Sequence, residues 1–409
     1  MTGVLSSWLG LPTAHGRRRV MVAMLVDSLG EGLFLPFFVV FLIEFAHLPA
    51  TQVGIACTIS AVLVLPVGPL VGRLVDSFGP IPVIVVANLV RAASCVGFLL
   101  VGNVVGLVVV NAISLGSGES FWTANSVFIS DLADPGEQRR WFTFQRALRN
   151  VGVGAGAVAT SLALLLVQRG DAYVVFLMAN AASYLIAAAL VATTRTRRAG
   201  SPSQEEPKAE RWLRAAIGQP VFRAIALINV IFVIGGLAPD LLWTYDTVNV
   251  LRGPVWLPGV LFGVNTAIAA ALQLPVNRAI ERLRPAASLR WGLAGWAASF
   301  VLVAALAAGT WPGVTIGFLA MVSIYSAGEL LFGATINALA VRAAPEHLRG
   351  RYLGLYQLSW TLSSIIAPVM LLSLSGVTPS LPWLVLAGAT ALGVLPLRAL
   401  RGLRQEVAA

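Results

Sequence analysis

The 409-residue chain is 57% hydrophobic and 11% charged, with a formal net charge of +10 and a mean hydropathy of +0.83. A soluble chain carries roughly 25% charged residues, so most of this surface must face something apolar. That excludes a soluble enzyme, a disordered chain, a coiled coil and a secreted disulfide scaffold. At about 20 apolar residues per membrane helix, twelve helices need ~240 residues, or ~59% of the chain, which is close to its apolar fraction.

Apolar runs fall at about 20–43, 53–72, 81–101, 104–130, 142–167 and 172–194, and again at about 221–246, 255–277, 288–308, 313–340, 352–374 and 381–398. The first is preceded by Arg17, Arg18 and Arg19, as in a secretory signal. It runs too long for one, carries Asp27 and Glu31 and lacks a small-residue cleavage site, so it reads as a retained span. Between the two sets lies TRTRRAGSPSQEEPKAER, a solvated linker with two prolines and the single lysine, Lys208. The expected organisation is a six-helix bundle at 1–194, a cytoplasmic linker at 195–220 and a second six-helix bundle at 221–409. The two cysteines, Cys57 and Cys95, sit in apolar runs and carry no zinc or disulfide spacing.

Of the 28 basic residues, 23 fall on alternate connections: the N-terminus, the linker, the C-terminus and the turns after the second, fourth, eighth and tenth runs. The opposite connections hold only Arg169 and Arg252. Basic residues stay cytoplasmic during insertion. Both termini and the linker are therefore expected in the cytoplasm, which requires an even number of spans. Topology explains the positive charge, and no nucleic-acid partner is expected. Trp243, Trp256, Trp311 and Trp383 fall near run ends, where interfacial belts form.

The halves repeat. At an offset of about 210, Gly118 aligns with Gly328, Glu119 with Glu329, Pro135 with Pro345 and Arg139 with Arg349; at about 209, Pro66 aligns with Pro275 and Arg73 with Arg282. Parallel six-span repeats form a recurring transporter architecture with its substrate site at the repeat interface. After the second run stands Gly72-Arg73-Leu74-Val75-Asp76-Ser77-Phe78-Gly79. It resembles the cytoplasmic loop motif of the major facilitator superfamily, although Ser77, Pro80 and Ile81 replace its usual basic positions. The resemblance covers nearly the whole chain. It implies an all-α membrane protein of twelve transmembrane helices in two pseudo-symmetric six-helix bundles, in the inner (plasma) membrane, most similar to drug-efflux members. Asp76 then inherits the role of capping the eleventh helix, and Gly72, Arg73, Asp76 and Gly79 form a conformational switch.

Charges inside spans are costly, roughly 2.5–3.5 kcal/mol at the centre on insertion scales, so each needs a reason. Asp27 and Glu31 are four apart and share a helix face. Mutual repulsion and burial both favour a protonated form, the behaviour that proton coupling needs. Glu119 and Glu329 sit mid-span in the fourth and tenth runs, which line the central cavity in the resembled family. These four carboxylates are the candidates for proton and substrate coupling. Arg91 lies halfway along the third run and is expected to form a structural ion pair with Glu31 or Glu119. Arg149 and Asn150 are placed at the inner mouth of the cavity. Asp240 and Asp246 read either as an outer gate or as loop caps. The run Arg149–Gly156 has no preceding strand and no Gly-Lys-Ser/Thr, so it is a close-packing glycine face and not a phosphate loop.

No catalytic, metal or cofactor motif is present: His15, His47 and His347 are scattered outside the runs. The chain is expected to be a monomeric secondary transporter, not an enzyme. Its expected partners are a small-molecule substrate, protons and the lipid bilayer, and it works by alternating access. Proton-coupled efflux of a hydrophobic or cationic drug or natural product is the leading expectation. Uptake of a small nutrient by proton symport is the alternative.

Overall fold

A computed structural model describes residues 18–132, 138–164, 169–194, 218–306, 313–343 and 349–398. The polar stretch 195–217, together with Trp311, lies outside them. Fourteen α-helices are described: α1 (Arg18–Phe34), α2 (Phe38–Glu44), α3 (Ala50–Val64), α4 (Val67–Phe78), α5 (Pro80–Phe98), α6 (Val104–Leu132), α7 (Gln138–Ala163), α8 (Arg169–Ala192), α9 (Pro220–Ala238), α10 (Leu257–Arg282), α11 (Pro285–Leu306), α12 (Gly313–Ala343), α13 (Arg349–Val377) and α14 (Leu381–Leu392). A 3₁₀ turn, Leu35–Phe37, joins α1 to α2, because Pro36 has no N–H for an α-helical bond. Pro66 likewise divides the second run into α3 and α4. Past α9 the seventh span continues as two π-helical turns, Pro239–Trp243 and Asp246–Val250.

Among the described residues, nine helices are long and apolar enough to cross a membrane, and Ala50–Val64 and Leu257–Gln273 are shorter apolar helices. The remaining run, α7, is 26 residues long, but its first half carries four arginines. Leu100, Val105, Ile316 and Val377 leave most of their surface uncovered, as residues facing lipid do.

The described chain divides into two compact units. One comprises residues 1–203 with Pro258–Gly263. The other comprises Gln204–Leu257 with 264–409. In the first, α1 packs along α7 and α8, and α5 packs along α6 and α8. Small residues make the α1–α7 approach possible: a Cβ on Gly156 would lie 2.4 Å from the Leu29 carbonyl oxygen and 2.7 Å from the Gly32 carbonyl carbon. Backbone cannot yield there. Gly156→Leu is therefore expected to lose most folded protein, whereas Gly72→Ala, whose Cβ meets nothing within 4 Å, is tolerated. Size-exclusion profiles of fluorescent fusions measure both. A core of Val20, Val71, Val75, Ile84, Phe128 and Trp141 fills one end of this unit.

In the second unit, α11 packs on α12 and α14, and α9 packs on α13. Its centre is aromatic: Trp296 stacks on Phe232 at 4.8 Å and on Tyr325 at 4.9 Å, and Phe232 stacks on Phe332 at 4.4 Å. Trp243 and Trp383, expected in interfacial belts, are each only 1% exposed. They fill the protein core because Trp243 packs edge-on against Tyr325 and Trp383 packs against Phe300.

Candidate functional site

Among the described residues, the first unit holds two adjoining ion pairs. On α5, the Arg91 guanidinium donates to Asp27 Oδ1 at 3.0 Å and to Asn88 Oδ1 at 3.2 Å through Nη1, and to the Tyr184 hydroxyl at 3.1 Å through Nη2. Its plane also lies 3.9 Å from the Tyr184 ring centre and 5.0 Å from that of Phe121. Both charged side chains are only 7% exposed. The expected partner was Glu31 or Glu119; the structure gives Asp27. Asp27 lies one turn before Glu31 on the same face of α1, and the register between α1 and α5 sets Arg91 against it. A small cavity beside the pair is lined by Asp27, Asn88 and Asn125 among apolar residues such as Val20, Met24 and Phe128.

One turn further along α1, Arg149 Nη2 of α7 donates to Glu31 Oε1 at 3.0 Å. The glycine contact between α1 and α7 sets this register. The Arg149 side chain is 38% exposed against 15% for Glu31. The guanidinium sits 5.4 Å from the Trp122 ring centre on α6. Glu31 Oε2 is buried and has no hydrogen-bond partner among the described residues. Asp27 and Glu31 were expected to repel each other. Each instead has its own guanidinium, so the two like charges are separately compensated. Asn150, next to Arg149, is exposed.

Glu119 lies three residues before Trp122, and so about one turn from that ring on the same side of α6. It is exposed and makes no hydrogen bond or ion pair among the described residues. Its repeat mate is set differently. Glu329 of α12 is half-buried and accepts at Oε2 from Asn265 Nδ2 of α10 at 3.2 Å; the same amide donates to Ser326 Oγ at 2.9 Å. The preceding glycines diverge too. A Cβ on Gly118 would meet nothing, while one on Gly328 would meet Trp296 at 2.7 Å. The repeat in sequence is thus not a repeat in surroundings.

Two sets of hydrogen bonds in the second unit escaped the sequence reading. The Tyr356 hydroxyl bridges Asn229 Oδ1 at 2.7 Å and Asn337 Oδ1 at 2.9 Å, and Asn229 Nδ2 donates to Ser359 Oγ at 2.5 Å. Asp246, read as gate or loop cap, is instead 4% exposed and takes a hydrogen bond from the Trp383 indole. The available signal was a polar group deep in an apolar run, which must find a partner there.

The loop motif after the second span lies at the end of α4. Gly79 has φ +84°, a conformation strained for any side chain, and its N–H closes α4 on Val75 O at 2.8 Å before Pro80 opens α5. Arg73 and Asp76 are exposed, and a Cβ built on the half-buried Gly72 would meet nothing within 4 Å.

The Major Facilitator Superfamily model matches residues 20–368. The chain belongs to this superfamily. Major Facilitator proteins are membrane transporters and not an enzyme family, so this is a multi-pass transporter of a small molecule. It is 24% identical over 378 residues to the class C tetracycline resistance protein of Escherichia coli, covering 90% of this chain and 92% of that one. It is 26% identical over 302 residues to the class G protein of Vibrio anguillarum, covering 70% and 74%. The fold also matches the solved nucleoside transporter NupG (TM-score 0.75, 12% identity, 93% of this chain and 98% of that chain). A D-xylose–proton symporter matches similarly (0.71, 13%, 93% and 96%). These identities speak to the twelve-helix Major Facilitator fold alone.

Proposed function

We propose that the protein exports a hydrophobic or cationic small molecule, a drug or natural product, in exchange for protons. The observation that carries this reading is the placing of Arg149. A flat, partly exposed cation lies against the Trp122 ring and on the Glu31 carboxylate. An aromatic face and an acid together form a site for an organic cation. Arg149 occupies it from within the protein, and a cationic substrate entering there displaces the guanidinium. A proton on Glu31 removes the charge that holds either of them. Proton and cation therefore compete for one carboxylate, which is the logic of exchange. The tetracycline resistance relatives support export and supply the first compound to test.

Asp27 is permanently engaged by Arg91 in this reading and holds α1 in register. Glu119 and Glu329 are accessory proton or cation sites. Switching between outward and inward states is assigned to Gly72, Arg73, Asp76 and Gly79, where a positive-φ turn separates two helices. The N-terminus, linker and C-terminus lie in the cytoplasm, and the transporter works as a monomer.

The test is flux. Cells producing the protein should accumulate less tetracycline and lose a preloaded cationic dye faster than cells lacking it. A proton ionophore should abolish the difference. Glu119→Gln and Glu329→Gln should each slow the flux by severalfold at normal protein levels. Flux indifferent to the ionophore would refute proton coupling. Faster uptake of a solute, driven by the proton gradient, would favour the symport alternative.

A further inference from the structure

A buried carboxyl lies outside the site just described. Asp246 sits in the second π-helical turn of the seventh span, where its own carbonyl accepts from Leu251 N at 2.9 Å, five residues on. A π-helical turn is wider than an α-helical one and is found disproportionately at functional sites. The side chain is almost wholly buried, and Oδ2 takes the Trp383 Nε1–H bond from α14 at 2.5 Å. Oδ1 is buried and has no hydrogen-bond partner among the described residues, and neither has the Thr244 hydroxyl two residues earlier.

Among the described residues, no cation compensates this carboxyl. From the packed elements, α14 presents the Trp383 indole, α11 presents Phe300 at 5.8 Å from that indole, and the segment itself presents the Tyr245 phenol. Arg252, beyond the π-helical turn, is exposed. No arginine, lysine or histidine pairs with Asp246 among the described residues. Burying an ionised carboxylate without a partner costs far more than burying a neutral hydroxyl that lacks an acceptor. The other buried acid pair, Asp27 with Arg91, shows the alternative solution, which Asp246 lacks.

We propose that Asp246 is a proton-carrying carboxyl of the second unit, protonated at Oδ1 while its Oδ2 is held by the Trp383 indole, and releasing that proton when the π-helical segment parts from α14. Release breaks the Oδ1–H bond and passes the proton to water; no electrons move, and the carboxylate that remains is then hydrated. This gives the transporter a further titrating position, on a segment whose hydrogen-bonding register is already irregular. The proposal does not depend on the Glu31 reading.

Infrared spectroscopy of the purified full-length protein in lipid nanodiscs at neutral pH tests it without any transported compound. The wild type should show a protonated-carboxyl C=O band that shifts in D2O, and Asp246→Asn should lack it. Glu31→Gln should retain it, which separates this proposal from the exchange mechanism. Trp383→Phe should keep the band but raise its frequency, because the donor to the C=O is gone. A protonated-carboxyl region unchanged in Asp246→Asn, or loss of an ionised-carboxylate band in its place, overturns the proposal. If Asp246→Asn does not fold, an unshifted band in Trp383→Phe does the same.

Discussion

Arg91→Leu is expected to be the most destabilising single charge removal in the first unit. The guanidinium holds Asp27, Asn88 and Tyr184 at 3.0–3.2 Å and lies against two aromatic rings. Removing it leaves a buried carboxylate with no cation, a loss of about 3–5 kcal/mol for a buried pair. Folded proteins are stable by only about 5–15 kcal/mol, so folded yield should fall severely. Asp27→Asn should cost less, because the guanidinium keeps Asn88, Tyr184 and both rings. The double variant Arg91→Leu/Asp27→Asn should recover much of the loss, since neither charge remains. Thermal unfolding in detergent measures all three. A double variant no better than Arg91→Leu would show that packing on Tyr184 and Phe121, rather than charge compensation, is what Arg91 contributes.

Glu31→Gln should leave folding near normal and abolish proton-driven export, by more than about tenfold, which corresponds to ~1.4 kcal/mol in the coupling. The amide can still accept from Arg149 at 3.0 Å, so the contact survives while the titrating group does not. Arg149→Gln should do the reverse. It vacates the Trp122 face, so a cationic substrate binds without displacing a guanidinium, and the proton loses one competitor. Tighter binding with slower turnover is the expected split. Equal effects on both quantities would instead place Arg149 in packing alone.

The apolar runs, the charge asymmetry and the repeat carried most of the fold, because a bilayer imposes period and length on a sequence before any tertiary contact forms. Interruptions inside spans were less visible. Pro36 and Pro66 marked two of them and Pro239 opens the first π-helical turn of the seventh span, but nothing local marked the second. Partners across helices were the least legible part. Asp27 and Glu31 were found as a shared face, whereas their division between Arg91 and Arg149 depends on helix register, which between α1 and α7 is set by Gly32 meeting Val153 and Gly156 meeting Leu29. Trp383 looked interfacial because it is near a run end; burial against Phe300 and Asp246 is a property of the packed unit. Asn229, Asn337 and Tyr356 are far apart in sequence and meet only through the packing of α9, α12 and α13.

The central claim is that proton and substrate compete for Glu31. Affinity of the purified transporter for an exported compound, measured across pH, tests it most directly. Competition predicts that wild-type binding tightens as pH rises and protons leave Glu31, then levels off, while Glu31→Gln loses most of that slope. A Glu31→Gln profile with the wild-type slope, or a flat wild-type profile, would contradict the account.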